Sequence, residues 1–209
     1  QPKTYLATAK FGWRSDSGDS DGVLTQTGRI PGDPQLPIGV LELPVPRQSA
    51  IKVDGERLYA RAHRGEEFEP PVREMTVYRA ERMKVDADSA VFEIDCAGGT
   101  YIRSVVATLE DAYCEQLART RVGELRLEDA DPERLLDPLA VLSHLERMDL
   151  SDEQARELIF GRRPELQAAD SGPIRLVVDE RLLGVGVIED GALKSETLLA
   201  SSLEELAAR

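Results

Sequence analysis

Three groups of residues in this sequence have the types and spacing to do chemistry. The loop Asp16-Ser17-Gly18-Asp19-Ser20-Asp21-Gly22 places three carboxylates ahead of a glycine. Read as a calcium loop with Gly22 at the sixth position, it puts Gly28 at the twelfth, where a bidentate glutamate is required, so calcium is not expected. The other reading is an Asp/Ser turn whose side chains satisfy their own backbone. The run Gly98-Gly99-Thr100-Tyr101-Ile102-Arg103 joins two glycines, which permit close backbone approach, to an arginine beside an apolar stripe. A half-buried guanidinium needs a carboxylate or phosphate, because breaking a buried pair costs about 3–5 kcal/mol. Its partner is open between an internal salt bridge and a functional acid. Tyr5 lies on the inward face of an alternating segment, either as a core aromatic or as a ring that stacks on an extruded base with its hydroxyl left to bond or accept a proton.

Several chemistries are excluded. His63 and His144 are distant and lack a paired nucleophile motif, and no G-x-x-x-x-G-K or H-E-x-x-H occurs; the one G-x-S-x-G spelling, Gly18 to Gly22, falls inside the acidic loop and not at a strand-to-helix turn, so hydrolase triads, P-loops and zincins drop out. Cys96 and Cys114 form no C-x-x-C, which indicates neither a disulfide framework nor a zinc site and fits a reducing cytoplasm. No long apolar run suggests a membrane span or signal peptide. The net charge of -13 argues at first against a nucleic-acid partner, since phosphate binding is driven by Lys and Arg. The acidity is uneven, however: residues 1–126 hold 17 Lys/Arg against 20 Asp/Glu, and residues 127–209 hold 9 against 19. The nearly balanced first part can still present a basic groove.

The elements that must position these groups follow from periodicity. Thr4 to Phe11 alternates as a half-buried strand, with Tyr5, Ala7, Ala9 and Phe11 on one face. A core strand so near the first residue suggests a chain that begins in mid-fold. Trp13 to Gly22 reads as a loop, and Pro31 to Pro46, with five prolines, as a connection. A turn at Val53–Glu56 precedes a short helix over Arg57–Arg64 closed by Gly65. Strands are expected at Met75–Lys84 and Ala90–Cys96. Beyond Gly98-Gly99, Ile102, Val105, Val106 and Leu109 make one stripe of an amphipathic helix running to about Tyr113. Glu128 to Asp137 is an acidic linker ending in an Asp-Pro helix start. Ser151 and Gln154 have capping-box spacing for a helix that stops at Gly161. Strand-like runs at Ile174–Val178 and Val185–Ile188, an Asp190-Gly191 turn and a Leu-rich end follow. This mixture without βαβ regularity predicts an α+β architecture with a small β-rich C-terminal domain.

The ordered motifs resemble the TruB family of tRNA pseudouridine synthases. Lys3-Thr4-Tyr5, with Phe11-Gly12 and Ser15 through Gly22, is similar to that family's K-x-Y strand and L-G-x-x-T-D-T-x-D-x-x-G loop. Ser49 to Tyr59 resembles its S-A-x-K-x-x-G-x-R-x-Y segment, Gly99 to Ser104 its G-T-Y-I-R-S motif, and Leu117 to Gly123 its L-R-R-T-x-x-G strand. The resemblance implies a mixed or antiparallel sheet of the pseudouridine synthase fold over residues 1–148 and a PUA-like RNA-binding domain over 149–209. It implies isomerisation of uridine to pseudouridine at position 55 in the T-loop of tRNA, with the base flipped out and without metal or organic cofactor, by a cytoplasmic monomer with no membrane attachment. By the same resemblance Arg103 pairs with a nucleophilic aspartate, Tyr5 stacks on the uracil and removes the C5 proton, and Leu117 packs against the base. Asp19, Lys52, Arg57, Tyr101, Arg119 and Arg121 contact or orient RNA.

Three departures matter. The family's G-H-T-G-x-L-D-P motif, which carries the nucleophile, occurs nowhere in residues 1–209, so the chain is expected to lack the N-terminal segment with the catalytic aspartate. Gln48 stands where the family has an aromatic. The stretch between Tyr113 and Leu117 is shorter than the family's G-C-G-A-H-L connection. The alternative function is a catalytically inactive RNA-binding protein or tRNA-folding chaperone on the same scaffold. A third, an acidic scaffold without RNA, leaves the ordered motifs unexplained.

Overall fold

In the computed structural model, which describes residues 1–53 and 55–208, the chain divides into two compact units, Gln1–Ala130 and Asp131–Arg209. The first contains β1 (Lys3–Phe11), β2 (Trp13–Ser15), β3 (Leu24–Gln26), β4 (Gly39–Pro44), β5 (Lys52–Val53), β6 (Glu56–Arg57) and α1 (Leu58–His63). It continues through β7 (Val72–Val85), β8 (Ser89–Cys96), α2 (Ile102–Ala107), β9 (Ala112–Val122) and β10 (Leu125–Arg126). The second contains α3 (Pro138–Val141), β11 (Glu146–Asp149), α4 (Asp152–Ile159), β12 (Ser171–Val178), β13 (Arg181–Glu189), β14 (Ala192–Leu198) and α5 (Leu203–Ala207).

A six-stranded antiparallel sheet in the order β10-β9-β1-β8-β7-β4 organises the first unit. Strict alternation builds its inner face: Ala7, Ala9 and Phe11 of β1 and Ala90, Phe92, Ile94 and Cys96 of β8 are all buried. Ile102, Val105 and Val106 of α2 complete that core, so α2 lies on the Tyr5 side of the sheet. A smaller cluster of Val45, Leu58 and Met75 seats α1.

Four expectations change. The loop at Trp13–Gly22 contains β2, paired with β3. The proline-rich connection contains β4, an edge strand on β7, where a proline need not donate to a ladder. The α2 helix ends at Ala107 and not near Tyr113, because Glu110 takes a left-handed φ of 62° and the chain re-enters the sheet at Ala112. The expected boundary at 148/149 moves to 130/131, since β11 pairs in parallel with β12 and so belongs to the second sheet. The turn expected at Val53–Glu56 includes Asp54, outside the described residues; β5 and β6 pair on either side of it.

The second unit has a four-stranded mixed sheet, β11-β12-β13-β14, over its own core of Leu150, Leu158, Leu176, Leu183 and Leu193. The Ser151–Gln154 capping box forms, and Asp137 caps α3 through Leu139 N–H. No helix among the described residues is long and apolar enough to cross a membrane.

Candidate active site

Arg103 is the centre of the site. It occupies the first turn of α2, whose apolar side fixes the helix on the sheet and leaves the Arg103 side chain 21% exposed. Its Nη1 donates to Asp19 Oδ2 at 2.5 Å and to Ser17 O at 3.3 Å, and its Nη2 donates to Gln48 O at 3.0 Å. The partner left open by the sequence is thus Asp19, within this chain. Gln48 takes part through its carbonyl, which any residue supplies, so its departure from the family's aromatic does not disturb this bond.

The Asp/Ser loop follows the turn reading. Asp16 Oδ1 accepts from Val23 N–H, and Asp19 Oδ1 accepts from Ser17 Oγ at 2.5 Å and from Asp21 N–H at 3.1 Å. The loop docks on β9, where Cys114 N–H donates to Gly18 O. Burial pushes the Asp19 carboxyl up, but the Ser17 hydrogen bond and the Arg103 charge outweigh it and hold it below the usual carboxylate value. Burial also pushes the nearby Cys114 thiol to about 11, so it offers no thiolate at neutral pH.

Tyr5 and Leu117 share this face of the sheet. Tyr5 pairs with Arg119, and Leu117 pairs with Ala7 on the adjoining strand, which aligns Tyr5, Leu117 and Arg119 on the side that carries α2. Tyr5 is half-buried against the core, whereas Leu117 is 46% exposed and presents an apolar surface with no cover. A cleft of about 400 Å³, lined by Ser17, Gly18, Leu43, Val45, Arg47 and Arg103, opens beside the ion pair.

The other expected residues divide. Lys52 and Arg57 face each other across the β5–β6 pairing, on the segment that begins at Gln48, and the Arg57 guanidinium lies 5.9 Å from the Tyr59 ring centre. Tyr101 packs into the cluster around Leu58 and Met75. Arg121 is not brought to the site. A register shift between Thr4 and Tyr5 bulges β9, so that Arg119 and Arg121 pair with adjacent residues of β1 and point to opposite faces. Arg121 instead donates to Thr4 Oγ1 at 2.9 Å and to Asp95 at 3.3 Å. A larger cleft, about 540 Å³, lies on that far face. Size does not make it the site, because Arg79 there is taken up by Glu81, Glu93 and Asp95.

Sequence reasoning missed Ser17, which a Ser-x-Asp spacing could have suggested, and the Gln48 carbonyl, for which no side-chain signal exists. It also missed Ser49, buried and with no hydrogen bond to its hydroxyl.

Residues 1–102 match the model for the TruB family pseudouridylate synthase (N terminal domain). The tRNA pseudouridine synthase B of Azoarcus sp. (strain BH72) is 30% identical over 225 residues, covering 95% of this chain and 75% of the relative. The protein of that name from Parasynechococcus marenigrum (strain WH8102) is 33% identical over 228 residues, covering 96% of this chain and 77% of the relative. Among solved structures, a chain of a Cbf5-Nop10-Gar1 complex aligns with 98% of this chain and 68% of its own length at a TM-score of 0.60 and 15% identity. A chain of an H/ACA RNP bound to a substrate RNA containing 2'-deoxyuridine gives 95%, 66%, 0.58 and 14%. These structural likenesses concern the fold alone. With the motif order and the arginine-centred site, the family match and the 33% identical relative establish that the chain belongs to the TruB family of pseudouridylate synthases.

Proposed function

We propose that this chain forms pseudouridine at position 55 in the T-loop of tRNA, with Arg103 holding a nucleophilic aspartate supplied from outside residues 1–209. The reaction breaks the bond from C1' to N1 of uracil and forms one from C1' to C5, with loss of the C5 proton and gain of a proton at N1. Neither atoms nor electrons are gained overall, so no redox cofactor enters its balance. The observation that carries this reading is the bonding of Arg103. Ser17, Asp19 and Gln48 take three N–H bonds, and a guanidinium has five N–H donors. The Nε–H and one Nη2 N–H remain for an incoming carboxylate, while Asp19 keeps the group in place.

The flipped uracil stacks on Tyr5 and packs against Leu117, and its C5 proton is taken up at the Tyr5 oxygen as the hydroxyl's own proton passes on to solvent. Lys52, Arg57 and Arg119 meet the RNA backbone around the pocket. Tyr101 supports α1 and orients RNA through it. Residues 131–209 form the PUA-like unit that touches the tRNA further away.

Tritium release from tRNA labelled at uracil C5, with filter binding on the same samples, tests this. Residues 1–209 are expected to bind tRNA without release, and the protein carrying a G-x-L-D-P segment to release tritium only when the T-loop uridine is present. Release by residues 1–209 alone would place the nucleophile within this chain. Binding without release by the protein that carries the segment would favour the chaperone reading.

A further inference from the structure

The loop that delivers Asp19 is held at both flanks by one buried carboxylate that the proposed reaction does not use. Asp111 sits in the turn between α2 and β9 with its side chain 6% exposed. Arg14 Nε, on β2 ahead of the loop, lies 2.8 Å from Oδ1, and Arg29 Nε, beyond β3, lies 3.3 Å from Oδ2. The backbone of the same residue joins in: Gly12 N–H donates to Asp111 O at 2.9 Å, and Gly12 O accepts from Thr27 and Gly28. The hairpin is thereby closed on itself and tied to the start of β9.

The turn gives Asp111 little freedom. Glu110 is left-handed, and Ala112 N–H donates back to Glu110 O at 2.6 Å. Asp111 Oδ1 is buried and receives no well-directed hydrogen bond, although Arg14 stands within ion-pair distance. The contact is one of charge more than of hydrogen bonding. Both arginines are more than half exposed and would be well hydrated without it. A buried carboxylate reaching two solvent-facing cations from opposite ends of one hairpin does little for the core and much for the placing of that hairpin.

We propose that Asp111 is a positioning residue, which through Arg14 and Arg29 keeps the β2–β3 hairpin seated so that Asp19 stays on Arg103. The inference rests on the reading of the Asp19–Arg103 pair as part of the reaction site. Asp111→Asn keeps the shape and backbone bonds but removes the charge contacts, and Arg14→Gln with Arg29→Gln removes them from the exposed side.

The first readout is the Asp19 carboxyl followed through a pH titration by carbon NMR, which requires no turnover. The charged or titratable groups around it are Arg103 of α2, Cys114 of β9, and Asp16 and Asp21 of its own loop. Asp19 is expected to titrate higher in both variants, toward the ordinary carboxylate value, and no further when they are combined. An unmoved Asp19 titration in the paired arginine variant, with only a lower melting temperature, would overturn the proposal. That variant carries the test even if Asp111→Asn does not fold. In the complete enzyme, kcat should fall about 10- to 100-fold while KM for tRNA stays within about twofold. A parent enzyme without turnover would sink the functional reading and leave the titration to decide the role of Asp111.

Discussion

On one face of the six-stranded sheet Arg103 binds Asp19, and on the other Arg79 and Arg121 converge on Asp95. Burial opposes both carboxylates, and in both the hydrogen bonds and the arginine charges win, so Asp19 and Asp95 are each held below the ordinary value. The surroundings differ. Asp95 also accepts from Thr4 at 2.6 Å, and Arg79 is ringed by three acids, a network with no charge left to offer. Arg103 has one carboxylate and two backbone carbonyls around it, with Tyr5 and an exposed Leu117 on the same face. The same ion-pair chemistry is thus spent on holding strands together on one side and left partly open on the other.

Arg103→Ala should break this comparison most sharply. Pseudouridine formation should fall by at least about 100-fold, with tRNA affinity in filter binding only modestly weakened; near-normal turnover would remove Arg103 from the reaction. Tyr5→Phe keeps the stacking ring and loses the hydroxyl. Single-turnover rates should drop by about 100-fold at unchanged tRNA binding, and a large loss of affinity would make Tyr5 a core residue instead.

On the far face, Asp95→Asn should cost about 1–3 kcal/mol in denaturant unfolding, the penalty for a disrupted part-buried network, with kcat per folded molecule preserved. A fall in kcat without a change in stability would mean that the two faces are coupled. The smallest effect concerns acid. Because the folded-state values of Asp19 and Asp95 lie below the ordinary aspartate value of 3.8, their stabilisation is complete above that value. It is lost as pH falls through the lower folded values. Their contribution to unfolding free energy should be flat from pH 7 to about pH 5, and Asp95→Asn should reduce the decline below 3.8.

Much of this was legible in the chain. Alternation gave β1 and β8 their faces residue by residue, and the G-T-Y-I-R-S run singled out Arg103. Its partner was not legible, because Asp19 comes from a loop far away in sequence and meets Arg103 only when α2 and that loop dock on the same strand. Nothing in the residue types announced where Arg121 goes: spacing by two would put it on the face of Arg119 in a regular strand, and the bulge at Thr120 puts the two on opposite faces. The end of α2 was hidden because Leu109 continues the apolar stripe past the turn at Glu110. The prolines obscured β4, since an edge strand tolerates them where a central one does not.

The parallel pairing of β11 with β12 bears on how the chain could be divided for separate expression. A fragment starting at residue 149 keeps α4 and three strands but strips the outer strand, all but Asp149, from its register partners Ile174 to Leu176. These residues are buried or half-buried, and their main-chain groups would face water as an unprotected apolar edge that invites pairing with another copy. A fragment starting at Asp131 retains its own cover and is the one expected to stay dispersed.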